Sequence, residues 1–290
     1  MEYCLHILIL INVFALLAIS LDILSGHAGL LSLSQAAFYG LGAYTSALLA
    51  VEAGVPFLMG VLAGVGVAVL ISFVVSLPSL RLYDDYFVLA TFGFQMIVFS
   101  VFNNWMELTR GPLGIPGIPQ PVIFGWHITS HLDFLILSIL FACFAYFVVY
   151  RLTSSPFGRV LHAIREDEVF AKAHGKNTHY SKVTAFAVSA ALAASAGSFY
   201  SSYITYIDPT SFTVMESILI ISMVIIGGAG SLWGPLIGAF VLVTLPEALR
   251  FIGLPSSVAA NLRQIIYGSL LVIMMMFRPR GLMGKFGFNK

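Results

Sequence analysis

Three carboxylates, Asp22, Glu216 and Glu247, fall inside runs of apolar residues. A carboxylate in such a setting can carry a proton, and is a functional candidate by default. Each also has a structural reading. Asp22 can cap a chain interruption at Gly26, Glu216 lies about one turn into its run and can reach lipid headgroups, and Glu247 follows Pro246 and can pair with Arg250. The other concentration of chemistry is an island from Arg159 to Lys182. It gathers Arg159, Arg165, Glu166, Asp167, Glu168, Lys172, Lys176 and Lys182 from a chain with only 14 basic and 13 acidic residues. Such a segment cannot lie in hydrocarbon and projects into water. Read alone, it is a solvated loop. Three consecutive acids beside Val160, Leu161, Ile164, Val169 and Phe170 point instead to a face that meets another protein.

Several chemistries are excluded by what is missing. No Gly-x-x-x-x-Gly-Lys-Ser/Thr phosphate loop occurs, so the chain is not an ATPase and no cofactor is expected on it. Gly228-x-Gly230 lacks the third glycine of a dinucleotide fingerprint, and its small residues suit close helix packing better than substrate contact. There is no clustered metal-ligand set and no Gly-x-Ser-x-Gly nucleophile elbow. Cys4 and Cys143 sit in separate apolar runs and read as small buried hydrophobes. A net charge of +1 gives no electrostatic case for nucleic acid.

The elements that position these residues are membrane spans. The chain is 59% apolar and 9% charged, which is the composition of a polytopic membrane protein. A helix crossing a roughly 30 Å core needs about 20 apolar residues, and the long unbroken runs exclude barrel strands. The fold class is all-α, with spans near 5–24, 33–51, 57–79, 86–103, 132–150, 183–204, 214–229, 235–252 and 260–277, about eight to ten in number. Polar residues and glycines between Leu21 and Gln35 predict either a helix broken inside protein-lined space, the preferred reading, or a hairpin at the surface. The first span has no basic leader and reads as uncleaved.

If the island is cytoplasmic, alternation places Arg81, Arg151, Arg278, Arg280, Lys285 and Lys290 on its side and leaves only Arg110, Arg250 and Arg263 opposite. The Pro- and Gly-rich stretch 105–131 is then extracytoplasmic. Within the island, Ser155 can N-cap a helix with Pro156 at its first position. Asp167 can start a second helix, Glu168 pairs with Lys172 four residues on, and Gly175 terminates.

These residues resemble a known family. Ser155-Pro-Phe-Gly-Arg-Val-Leu-His-Ala-Ile-Arg-Glu-Asp-Glu168, followed by Ala171-x-Ala173-x-Gly175, is similar to the cytoplasmic loop of branched-chain amino-acid permeases of the LivM type. Gly26-His-Ala-Gly-Leu-Leu-Ser-Leu33, Ala36-Ala-Phe-Tyr-Gly-Leu-Gly-Ala-Tyr44, Asp85-Tyr-Phe87, Asn103-Asn-Trp105, Leu108-Thr-Arg-Gly-Pro112 and Gly227-Gly-Ala-Gly-Ser-Leu-Trp-Gly-Pro235 resemble further blocks in the family's order. Asp22 departs from a more usual neutral amide and Gln35 from a common histidine. The resemblance implies one transmembrane permease domain over 1–290, with 151–182 as a cytoplasmic coupling loop. It implies a bacterial inner-membrane importer working with two cytoplasmic ATPase subunits, a second, LivH-like permease and a periplasmic solute-binding protein. The amino acid would cross by alternating access, with ATP bound by the partners. Arg159, Arg165, Glu166, Asp167, Glu168 and Gly175 would couple to the ATPases. Asp22, Ser32, Gln35, Asn103, Asn104 and Glu216 are candidates for the pathway. For Asn103, Asn104 and Thr109 the competing role is satisfying carbonyls at a helix end, and His27 reads as a packing residue. Two other functions stay open: an autonomous proton-coupled transporter using Asp22 or Glu216, and a related permease for urea or another small solute.

Overall fold

A computed structural model describes residues 2–80, 82, 84–123, 126–250, 256–278 and 281–284. Arg81, Arg280, Lys285 and Lys290, and the side chains of Arg250 and Arg263, lie outside the described residues, so the pairing of Glu247 with Arg250 does too. The first helix, α1 (Glu2–Asp22), runs on as a π-helical stretch, Ile23–Ala28, and the chain then turns at Gly29 in a left-handed conformation. After an extended segment come α2 (Gln35–Ala53), α3 (Phe57–Ser79) and α4 (Asp84–Asn104). The 105–131 stretch holds the short α5 (Met106–Thr109) and three two-residue strands, β1 (Ile115–Pro116), β2 (Val122–Ile123) and β3 (Trp126–His127). Then follow α6 (His131–Ser154), α7 (Pro156–Glu166), α8 (Glu168–Ala173) and α9 (Thr178–Ile204). The strand β4 (Tyr206–Ile207) precedes α10 (Val214–Gly227), α11 (Gly234–Arg250) and α12 (Ser256–Phe277).

Five of these helices are long and apolar enough to cross a membrane, and three shorter apolar stretches, Val214–Gly227, Gly234–Glu247 and Ile265–Met274, accompany them among the described residues. Burial sorts them. The spans of α1 and α9 are each 72% buried inside the protein, whereas those of α3, α4 and α6 are 22–28% buried. The first pair forms the centre and the other three the jacket, whose exposed Leu62, Leu70, Val74, Ile97, Leu140 and Phe144 suit contact with hydrocarbon. Hydropathy cannot tell these two environments apart. It also misplaces the cysteines: Cys4 and Cys143 are free and exposed on the outer surface, not buried. At the centre, α2 and α9 approach at backbone distance. A Cβ on Gly42 would strike the Ala194 carbonyl and one on Gly197 the Tyr39 carbonyl, so small residues set this crossing.

The interruption expected over 21–35 is narrower than predicted. Residues 21–28 stay helical, the gap is 29–34, and Leu30, Ser32 and Ser34 within it are buried. Gly29 and Leu31 within it are exposed, so the gap is half-buried irregular backbone. At one end of the bundle, β1 pairs antiparallel with β4, and Ile118 N–H donates to the Thr205 carbonyl at 3.1 Å, so the 105–131 stretch closes over the turn after α9. Tyr3 donates to the Glu247 carboxylate, linking the start of α1 with the far part of α11. The island, the end of α1, the α10–α11 turn and residues 281–284 meet at the opposite, charged end.

Candidate functional site

Three groups of polar side chains inside the bundle, and the island outside it, hold the candidate residues. The first is at the charged end. Asp22 is 1% exposed, and its Oδ1 accepts from the Gly230 N–H at 2.8 Å. His27 Nε2 lies 3.5 Å from the other carboxylate oxygen, and His27 Nδ1 is 3.0 Å from His162 Nε2 on α7. Arg165, from the last turn of α7, donates to the Gly26 carbonyl. Its flank lies so close against Gly29 that a Cβ there would come within 2.9 Å of Arg165 Cγ. Burial lowers the pKa of the guanidinium from its ordinary value, and the Asp22 and Glu166 carboxylates oppose this. Gly26 makes the arrangement possible: a side chain there would occupy the place of Asp22 Oδ1 and the Gly230 nitrogen. The π-helical turn is wider than an α-turn, and both Gly29 and Leu30 N–H groups reach the Leu24 carbonyl.

The second group lines the interrupted segment. Buried non-helical backbone and the first turn of a helix need internal partners, and hydroxyls from several helices supply them to this segment and to the start of α2. Leu33 N–H donates to Thr91 Oγ1 of α4 at 3.1 Å, and Ala36 N–H to Ser217 Oγ of α10 at 2.9 Å. Ser32 and Ser34 hydroxyls are 2.8 Å apart, and Gln35 donates to Ser20 and lies 3.5 Å from Ser189. Ser32 and Gln35 thus complete a buried network.

The third group surrounds Phe212, next to the turn before α10. Gln95 Nε2 donates to the Phe212 carbonyl at 2.8 Å, and the Tyr44 ring stacks on Phe102 at 4.2 Å and meets Phe212 at 5.7 Å. Gln95 Oε1 and Tyr44 Oη are buried with no hydrogen-bond partner among the described residues, an unusual state for protein interiors. Glu216 is half-buried nearby, in electrostatic range of Tyr39 and Tyr200. Asn104 donates to the Ser100 carbonyl at 2.8 Å and Thr109 to the Phe102 and Trp105 carbonyls at 2.7 Å. Those two fill the helix-end role. Asn103 is half-buried at the same helix end.

The island folds by local rules. Ser155 Oγ accepts from Phe157 N–H at 3.2 Å with Pro156 first in α7, and Asp167 Oδ1 accepts from Val169 and Phe170 N–H at 2.8 and 3.0 Å to start α8. Gly175 closes α8 at φ 74°. Glu168 fastens α8 to α9, accepting from buried Lys182 at 2.6 Å and Thr178 at 3.0 Å, with Lys172 at 3.1 Å. Desolvation pushes the Glu168 carboxyl up, but the hydrogen bonds from Lys182, Lys172 and Thr178 outweigh it and hold the pKa at about 2. The apolar face expected to meet a partner divides in two. Leu161 and Ile164 are buried against the chain's own helices, whereas Val169 and Phe170 are 76% and 60% exposed, with Tyr180 at 67%. Arg159, Glu166, Lys172 and Lys176 are exposed around them. The residues missed from the sequence are Tyr44, Gln95 and Gly230. One available signal was internal: Gly26-x-Ala28-Gly29-x-Leu31 recurs as Gly227-x-Ala229-Gly230-x-Leu232.

Apolar helices around buried polar clusters, carrying a capped helical hairpin of mixed charge at one end, define a polytopic membrane protein of the transport class. The chain belongs to the family described as branched-chain amino acid transport system / permease component, which matches residues 3–275. It is similar to the high-affinity branched-chain amino acid transport system permease protein LivM of Escherichia coli (strain K12), 33% identical over 295 residues, covering 93% of this chain and 68% of that protein. The probable branched-chain amino acid transport permease protein LivM of Methanocaldococcus jannaschii is 28% identical over 221 residues, 71% of this chain and 62% of that protein. The ribose import permease protein RbsC of Haemophilus influenzae is 32% identical over 145 residues, 48% of this chain and 40% of that one. No solved structure matches.

Proposed function

We propose that the chain is the transmembrane subunit of an ATP-driven importer in a bacterial inner membrane, moving branched-chain or other hydrophobic amino acids by alternating access. Separate ATPase subunits drive it, a second, LivH-like permease completes the pathway, and a periplasmic binding protein delivers the substrate. The supporting observation is the construction of the island. Val169 and Phe170 are held out into water on α8, which Glu168 ties to α9, while Arg165 on α7 reaches inward to the end of α1. An outward apolar contact on a rigid mount, joined to a central span, suits a device that receives force from a soluble partner. In this reading Arg159, Glu166, Val169 and Phe170 touch the ATPase. Asp167, Glu168 and Gly175 shape α8, and Arg165 transmits. Tyr44, Gln95 and Glu216, around Phe212, offer a passing amino acid two unsatisfied polar atoms and a carboxylate. Ser32 and Gln35 hold the interrupted segment beside that path.

The test is reconstitution of the chain with its second permease, ATPases and binding protein in liposomes. Leucine uptake should require ATP and be absent with a pH gradient alone. Uptake by the isolated chain driven by a pH gradient would identify a secondary transporter instead, and urea uptake in place of leucine would overturn the cargo. Arg165→Glu should abolish uptake and leave membrane insertion intact. Uptake and ATPase stimulation at the parent level in that variant would remove Arg165 from the coupling set.

A further inference from the structure

The two Gly-x-Ala-Gly turns, separated by 201 positions in the chain (Gly26 to Gly227), lie against each other at the charged end. Gly29 and Gly230, at matching places in the repeat, have φ 73° and 75°. Each turn is also clasped from the charged side. The flank of Arg165 lies against Gly29. Residues 281–284 cover Gly228, with Leu282 and Met283 N–H donating to the Ile226 and Gly227 carbonyls at 2.9 Å each. The link between the turns is Asp22. Its carboxylate comes from the first helix and ends on a backbone N–H of the second turn, in a place water does not reach.

We propose that these two turns form one mechanical joint and that Asp22 is its positioning residue, passing displacement of α7 to the α10–α11 turn. The proposal rests on the reading of the island as the ATPase contact. Three features carry it. The grip of Arg165 on the Gly26 carbonyl is charge-assisted, and so is that of Asp22 on Gly230 N–H, the stronger kind of hydrogen bond. Gly26 and Gly29 allow no slack, since any side chain would overlap Asp22, Gly230 or Arg165. Close-packed contacts of this sort shift as units instead of deforming. The chain from α7 is therefore Arg165, Gly26 with Gly29, Asp22, Gly230, and then the start of α11. Asp22 so placed acts in transmission, not in the substrate path.

Spin labels on the full transporter test this, in a chain whose Cys4 and Cys143 are replaced by serine. Labels at Leu113→Cys near the far end, paired with Lys172→Cys on α8 or with Trp233→Cys before α11, give two distances; Leu113 and Trp233 are 74% and 60% exposed. In the parent, ATP should change both. In Asp22→Ala the α8 distance should still change and the α11 distance should not. Arg165→Gln, which cuts the other end of the link, should give the same split even if Asp22→Ala does not assemble. Asp22→Asn, whose amide oxygen can still accept from Gly230, should restore movement at α11. ATP-driven change at both pairs in Asp22→Ala or Arg165→Gln would overturn the joint. No change at α8 in the parent would overturn the ATPase reading of the island itself.

Discussion

Tyr44→Phe separates a hydroxyl that holds the fold from one that serves a solute. Tyr44 is 2% exposed, its ring stacks on Phe102, and its Oη has no partner among the described residues. An unsatisfied buried polar group costs about 1–3 kcal/mol. Phenylalanine keeps the ring contacts with Phe102 and Phe212 and removes that cost. In detergent, the melting temperature of the purified chain should stay level or rise by a few degrees, at roughly 2–4 °C per kcal/mol for a chain near this size. Transport should change in the opposite sense. A hydrogen bond to the passing amino acid is worth about 1 kcal/mol, so the concentration of binding-protein-delivered leucine giving half-maximal uptake should rise roughly five-fold. A fall of several degrees on Tyr44→Phe would mean that the hydroxyl is already satisfied, and unchanged uptake would mean that no substrate meets it. Either result refutes the reasoning.

Lys182→Met removes the buried ammonium that fastens α8, and should lower the melting temperature by an amount equivalent to about 1–2 kcal/mol, kept small because Glu168 is partly exposed and retains Lys172. The Glu168 pKa is depressed from 4.5 to about 2, so its contribution is full above pH 4.5 and is lost as the pH falls through 2. The melting gap between the parent and Glu168→Gln should therefore close across that window, and a gap that widens there would contradict the assignment. Val169→Asp, at a side chain that is 76% exposed, should leave the melting temperature unchanged and abolish ATPase stimulation in the assembled transporter. Normal stimulation would show that the α8 edge is not the contact.

The parts legible in the sequence are the ones set by local chemistry. Ser155-Pro156 and Asp167 mark the starts of α7 and α8 because a cap acts within three residues of itself, and Gly175 marks the stop for the same reason. The spans are legible because length and apolarity suffice. What each apolar residue faces is not. Leu161 and Val169 have similar hydropathy, yet one packs on the chain's own helices and the other points to water. Cys143 and Ala145 lie two positions apart in one apolar run, and only the second is covered by protein. The Asp22–Gly230 contact spans 208 positions, and no local pattern announces such a pair. The repeated Gly-x-Ala-Gly marks the two turns without showing that they touch.

The interrupted segment at 29–34 and the first turn of α2 also carry a consequence for biogenesis. The Ala36 N–H finds its partner in Ser217, 181 residues later in the chain. At a synthesis rate of about 5–20 residues per second, that partner emerges roughly 10–40 s after Ala36 does. The Leu33 N–H waits for Thr91, 58 residues on. Throughout that interval the start of α2 cannot settle into hydrocarbon without leaving polar backbone unsatisfied. The membrane surface or a wet insertion channel accommodates the Ala36 N–H at lower cost until α10 arrives, the difference being about 1–3 kcal/mol. The Ala36–Ser217 hydrogen bond thus ties completion of the start of α2 to the synthesis of α10, late in the chain.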